Sequence, residues 1–164
     1  MSAVLHPAPL TKSGFAAFGE VVELGGAERF PINQGFAERF NNLAQVDIGD
    51  EEGSINISVI SAQPRPAPIR LDVMERHPLG SQLFYPLQDR PWLVVVCGDP
   101  EDFASYRAFS ARGKQGVNYA RNAWHHPLLV FAPGGDFLVV DRKGPGKNLE
   151  EITLGSAQVI HLAG

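Results

Sequence analysis

A chain of 164 residues, 44% of them hydrophobic and 20% charged, has the make-up of one globular domain with its own core, so 1–164 is read as a single domain. Its 14 Lys+Arg against 18 Asp+Glu give a formal charge of -4, and no basic stripe interleaved with aromatics marks it for nucleic acid. No apolar run reaches the roughly 18 residues of a membrane span, Pro7, Pro9 and Lys12 break up any leader-like start, and the single Cys97 forbids an intrachain disulfide, which points to the reducing cytoplasm.

Along the chain, residues 11–18 are expected to form a short helix capped by Thr11 or Ser13. Segment 53–60 alternates between apolar and polar residues, the pattern of a strand with one buried face. Further strands are expected over 69–74, 92–97, 105–109, 128–131, 136–141 and 159–162, with a single helical turn at 100–104. Turn signals at 97–100, 132–135 and 144–146 separate them. Glycine and proline are scattered as punctuation, without linker, repeat or low-complexity tract. Many short strands without long helical patterns between them make the chain all-β, a sandwich or a barrel. Cys97 closes an apolar run and reads as a small buried residue, not a nucleophile.

Two polar segments stand out. In Glu75-Arg76-His77-Pro78-Leu79-Gly80-Ser81-Gln82-Leu83-Phe84, alternation puts Glu75 and His77 on one face of a strand, and Gln82 and Phe84 on one face of the next. An imidazole near a carboxylate can take or give a proton near neutral pH. In Ala123-Trp124-His125-His126-Pro127, one histidine must face inward while its neighbour faces out. There is no Gly-x-Ser-x-Gly elbow and no phosphate-cradling loop, and Gly144-Pro145-Gly146-Lys147 lacks Walker spacing.

The spacing of Glu75, His77, Gln82 and His125 resembles the cupin metal signature His-x-His-x4-Glu with a later His. Glu75 and Gln82 stand where that signature has His and Glu. The strings ERHPLGSQ, GVNYARNAWHHPL and DFLVVDRKGPGKNLEE resemble the ureidoglycolate lyase family, over nearly the whole chain from Phe15 onward. That resemblance implies a cupin-like jelly-roll β-barrel with a few short helices. It implies cleavage of (S)-ureidoglycolate into glyoxylate and urea, a carbon–nitrogen lyase reaction of allantoin and purine nitrogen breakdown. It also implies a divalent metal, nickel above others, on His77, His125, Glu75 and Gln82, with no organic cofactor.

On the same resemblance, His77 is the catalytic base and Glu75 or His125 the acid. Arg39 or Arg121 holds the substrate carboxylate, because a guanidinium can grip it with two parallel bonds. Asn33, Asn118, Tyr119 and Gln82 are the expected contacts to urea or hydroxyl groups. Arg76 is expected to point away from the barrel, and Arg142 to tie strands or subunits together. The chain is expected to form a homodimer, with the outward residues around Trp124 and His126 as contacts. An amidohydrolase releasing ammonia, another cupin enzyme such as a dioxygenase or sugar isomerase, and a non-catalytic acid-binding barrel are the competing readings.

Overall fold

The computed structural model describes residues 3–49, 52–155 and 160–163, and the strand Trp92–Cys97 lies at its centre, buried at every position. Trp92, Val94 and Val96 face one cluster with Phe84, Phe109, Val117, Phe137 and Val139. Leu93, Val95 and Cys97 face a second, with Leu71, Met74, Trp124, Leu129 and Leu162. A strand covered on both sides has no solvent face to mark with polar residues, which is why this run does not alternate. Trp92 buries its ring edge-on to Phe137, at 4.9 Å between centroids, and satisfies its indole N–H on the Gln115 carbonyl at 2.9 Å.

Trp92–Cys97 belongs to a seven-stranded sheet. Its order is Glu150–Thr153, Val73–Arg76, Trp124–His125, Trp92–Cys97, Arg107–Ala111, Ala8–Pro9, with Leu129–Val130 also paired to the central strand. Facing it is a five-stranded sheet in the order Gly19–Val22, Gly116–Tyr119, Gln82–Pro86, Gly135–Lys143, Ser54–Ala62. A third sheet of Ala3–Leu5, Ile160–Leu162 and Ile69–Leu71 adds Leu71 and Leu162 to the second cluster. The hairpin of Glu28–Ile32 and Ala37–Asn41 forms a two-stranded sheet of its own. Two facing sheets over a shared core are the all-β architecture that the strand pattern implies.

Several local expectations change. The helix spans only Lys12–Phe15, capped by Thr11, whose Oγ1 accepts from the Gly14 amide at 3.1 Å. It stops because Phe15 is pinned against Phe109 and Tyr119, and from Gly19 the chain pairs with Gly116–Tyr119. Segment 69–74 is not one strand: Ile69–Leu71 and Val73–Arg76 enter different sheets on either side of Asp72. Strand 105–109 begins later, as Arg107–Ala111, because Phe103–Ser105 forms a 3-10 turn capped by Asp102. Segments 128–131 and 136–141 become Leu129–Val130 and Gly135–Lys143, and the last strand is Ile160–Leu162, Val159 lying outside the described residues. In Ser54–Ala62 the apolar set faces the other way from expectation. Ile55, Ile57 and Val59 are 50%, 70% and 59% exposed, while Asn56 and Ser58 turn to the half-buried side.

Candidate active site

The site begins with a strand pairing. Val73–Arg76 lies antiparallel to Trp124–His125 with Glu75 directly opposite His125. Two residues on, His77 keeps the inward phase of Glu75. The turn 78–81 then carries the chain from one sheet to the other, tied down by the Ser81 amide on the Asp47 carbonyl and the Leu79 amide on Asn148 Oδ1, both at 2.8 Å. Gly80 permits this close pass, since a Cβ there would lie 2.6 Å from the Asp47 carbonyl oxygen. Gln82 therefore returns on the opposite sheet and meets His77.

Both inward histidines are oriented alike. His77 Nδ1 donates to the Asn148 carbonyl at 2.8 Å, and His125 Nδ1 donates to the Ala123 carbonyl at 2.9 Å. Both Nε2 atoms are thereby left for the interior. His77 Nε2 lies 2.9 Å from Gln82 Oε1, and His125 Nε2 lies 3.5 Å from Glu75 Oε1. Tyr119 stacks flat on His125, with centroids 4.0 Å apart and planes 7° apart, and so holds the ring at one angle.

Glu75, His77 and His125 each offer one ligand atom, all within 4.8 Å of one another. His125 Nε2 is buried without a hydrogen-bond partner, the state of a lone pair that a cation would satisfy. Nδ1–H groups bonded to backbone carbonyls are the usual support for metal-ligating histidines. Two imidazoles with a carboxylate and an amide oxygen make a set of borderline hardness, suited to a divalent first-row metal.

Burial pushes the Glu75 carboxyl up, but the close approach of His125 Nε2 at 3.5 Å and the other imidazoles around it outweigh this and leave it below its ordinary value. A carboxyl that ionises early suits a ligand or a proton acceptor better than the proton donor expected at this position. His126, behind the site, is only 2% exposed, and burial lowers its pKa to about 4. Trp124 and His126 are thus covered within this chain and are not free for subunit contact. Burial pushes the Cys97 thiol up to about 12, which keeps it an inert core residue.

A cleft of about 430 Å³ opens over Glu75 and Gln82, walled by Ile60, Phe84, Leu128, Gln63 and Arg65. Among the described residues lining it, Arg65 carries the positive charge, and it was not singled out in the sequence. The available signal was its setting, Gln63-Pro64-Arg65-Pro66, where flanking prolines stiffen the backbone just past a strand.

Of the expected substrate contacts, Gln82 lines this cleft and Tyr119 backs His125, while Asn33, Arg39, Asn118 and Arg121 lie elsewhere. Asn118 and Arg121 line a separate cleft of about 500 Å³ with Glu20, Gln45, Asp47 and Ser81. Asn118 adjoins Tyr119 on one strand, so when Tyr119 faces the core Asn118 must face away. Its Nδ2 donates to Glu20 Oε1 and to the Gln45 carbonyl. Arg121 grips Asp47 with two bonds of 3.0 and 2.8 Å, and holds that carboxyl below the usual range. Arg39 and Asn33 are exposed on the hairpin, Arg39 opposite Phe30 and Asn33 at its turn. Arg76 points outward as expected, over the Trp124 ring at 4.5 Å and paired with Glu150 at 2.8 Å. Arg142 is buried and donates to the Pro145 carbonyl at 3.1 Å.

The family model described as ureidoglycolate lyase matches residues 2–161. Ureidoglycolate lyase 1 of Rhizobium meliloti (strain 1021) is 51% identical over 161 residues, spanning 98% of this chain and 95% of the relative. Ureidoglycolate lyase of Burkholderia mallei (strain NCTC 10229) is 50% identical over 148 residues, 89% and 86% of the two chains. Among solved structures, a dTDP sugar isomerase from Desulfovibrio desulfuricans G20 aligns with a TM-score of 0.47 at 14% identity, over 85% of this chain and 86% of that one. With a family match across nearly its whole length and relatives at half identity, the chain belongs to the ureidoglycolate lyase family.

Proposed function

We propose that this chain is a single-domain cytoplasmic lyase that splits (S)-ureidoglycolate into glyoxylate and urea in the cleft that opens over Glu75 and Gln82, beside His77 and His125. The observation that carries the reading is the inward convergence of Glu75 and two histidines whose other ring nitrogens are tied to carbonyls. Arg65 replaces Arg39 and Arg121 as the partner of the substrate carboxylate, since it is the guanidinium on the cleft wall.

His77 Nε2, His125 Nε2, the Glu75 carboxylate and Gln82 Oε1 are the atoms to hold a divalent cation, nickel in our reading. Bound there, a cation supplies Lewis acidity that lowers the pKa of a substrate hydroxyl. Glu75, ionised at neutral pH and still offering a second oxygen, accepts the hydroxyl proton as the carbonyl forms. The carbon–nitrogen bond breaks, and the same proton passes to the departing urea nitrogen. Glu75 takes this role from His77 because His77 Nδ1 is spent on the Asn148 carbonyl and its Nε2 is the atom assigned to the cation.

The outward row Ile55, Ile57 and Val59 on the edge strand Ser54–Ala62 supports a homodimer, because an apolar sheet edge left bare invites pairing. The reaction is tested by incubating the purified chain with (S)-ureidoglycolate and assaying urea, glyoxylate and ammonia. Equal amounts of glyoxylate and urea are expected. Ammonia as the nitrogen product would convert the reading to hydrolysis, and the absence of any product would make the barrel a binding protein.

A further inference from the structure

Gln82 has the shape of a carboxylic acid but not its charge, and the two ends of its amide are chemically opposite. Which end faces His77 is decided behind it. Gln82, Asp141 and Asn56 sit directly opposite one another on three adjacent strands of the five-stranded sheet. Gln82 Nε2 donates to Asp141 Oδ2 at 3.1 Å, and Asn56 Nδ2 donates to Asp141 Oδ1 at 3.1 Å. An ionised carboxylate only accepts, so it takes an N–H from each neighbour and cannot face the Gln82 oxygen. The Gln82 oxygen is thereby turned to His77, at 2.9 Å.

We propose that Asp141 is a positioning residue that fixes the Gln82 carbonyl toward the His77–His125–Glu75 centre and supplies from one strand away the negative charge that the neutral amide lacks. The proposal rests on the reading of that centre as a metal-holding lyase site. The order matters. A carboxylate at position 82 would face the Asp141 carboxylate at contact distance, and like charges at that spacing repel. Neutral at 82 with anionic at 141 is one consistent arrangement, and anionic at 82 with neutral at 141 is the other. In the second, the amide at 141 gives its N–H to the carboxylate at 82 and still accepts from Asn56. With an amide at both positions, a single oxygen at 141 must answer two donors, and the orientation at 82 is no longer set. With acids at both, the pair repels.

The test compares four proteins: the parent, Asp141→Asn, Gln82→Glu, and the swap Gln82→Glu/Asp141→Asn. Nickel affinity of the chelator-stripped proteins is measured by calorimetry, urea release gives kcat and KM, and NMR follows the Gln82 side-chain amide in the metal-free state. Each single variant is expected to lose about 10–100-fold in nickel affinity and in kcat, the usual effect of removing a group that supports a ligand. KM should move far less, because Arg65 still holds the substrate carboxylate. The swap is expected to recover both quantities to within about tenfold of the parent, which the loss of a merely structural contact would not allow. In Asp141→Asn, the Gln82 amide protons should shift toward the positions of a free side chain.

A swap no better than the worse single variant overturns the proposal, as does an Asp141→Asn protein with unchanged affinity and an unmoved Gln82 amide. A parent that releases no urea would sink the lyase reading alone, since affinity and the amide signals still judge Asp141. A parent that binds no nickel would leave the amide signals to decide its orienting role.

Discussion

Lowering the pH should destabilise this protein through His126 before any carboxylate contributes. Burial holds the His126 pKa near about 4, against 6.5 for a free imidazole, so the fold favours the neutral ring. The unfolded chain takes up a proton below pH 6.5 that the folded chain refuses. The stabilisation is therefore complete above that value and drains away as pH falls toward about 4. At about 1.36 kcal/mol per pKa unit, the full gap is worth about 3 kcal/mol, of which about 2 kcal/mol is gone by about pH 5. Glu75 and Asp47 have lowered pKa values, so their losses begin only below their ordinary values of 4.5 and 3.8. The window between about pH 6.5 and 5 thus separates the histidine from these carboxylates, and the variant below separates it from the other histidines. Urea unfolding of the chelator-treated protein across this window, beside a His126→Gln variant that keeps a donor near the Pro127 carbonyl, measures the effect. The variant should be less stable near neutrality and should lose about 2 kcal/mol less than the parent on going to about pH 5. Equal losses in the two proteins would refute a buried, neutral His126.

Other substitutions probe the cleft and the surface. Arg65→Ala should raise KM by about tenfold or more with a smaller fall in kcat, since a charge-assisted pair of about 1.5–3 kcal/mol exists in the bound ground state; Arg65→Lys should restore part of this, and an unchanged KM would remove Arg65 from binding. Glu75→Gln should cut urea release by about two to four orders of magnitude, the worth of a positioned proton acceptor, and near-normal turnover would return that role to His77. Ile57→Asp, placed in the most exposed of the outward apolar row, should reduce the mass seen by light scattering from a pair to one chain of 17.8 kDa. A parent already at the mass of one chain at micromolar concentration would end the homodimer reading.

Much of the site was legible because it is local. Period-two alternation sets Glu75 and His77 in phase, and a short turn with Gly80 at its tightest point returns Gln82 on the next strand. The same rule, applied to Asn118 beside Tyr119, separates them, yet both were expected in the cleft. A parity argument was available there and motif proximity obscured it. The flanking prolines of Arg65 were visible too, but no local rule says which of several arginines reaches a given wall.

The sequence by itself determined the strand-rich class, the apolar strand Trp92–Cys97 and the shared phase of Glu75 and His77, because local pattern is written into neighbouring residues. Only the tertiary structure decided that Ile55, Ile57 and Val59 face out, that segment 69–74 divides between two sheets, and that Asp141 stands behind Gln82. Those outcomes depend on register between strands far apart in the chain. A one-residue change of register moves every side chain to the other face, and no alternation within a single strand specifies it.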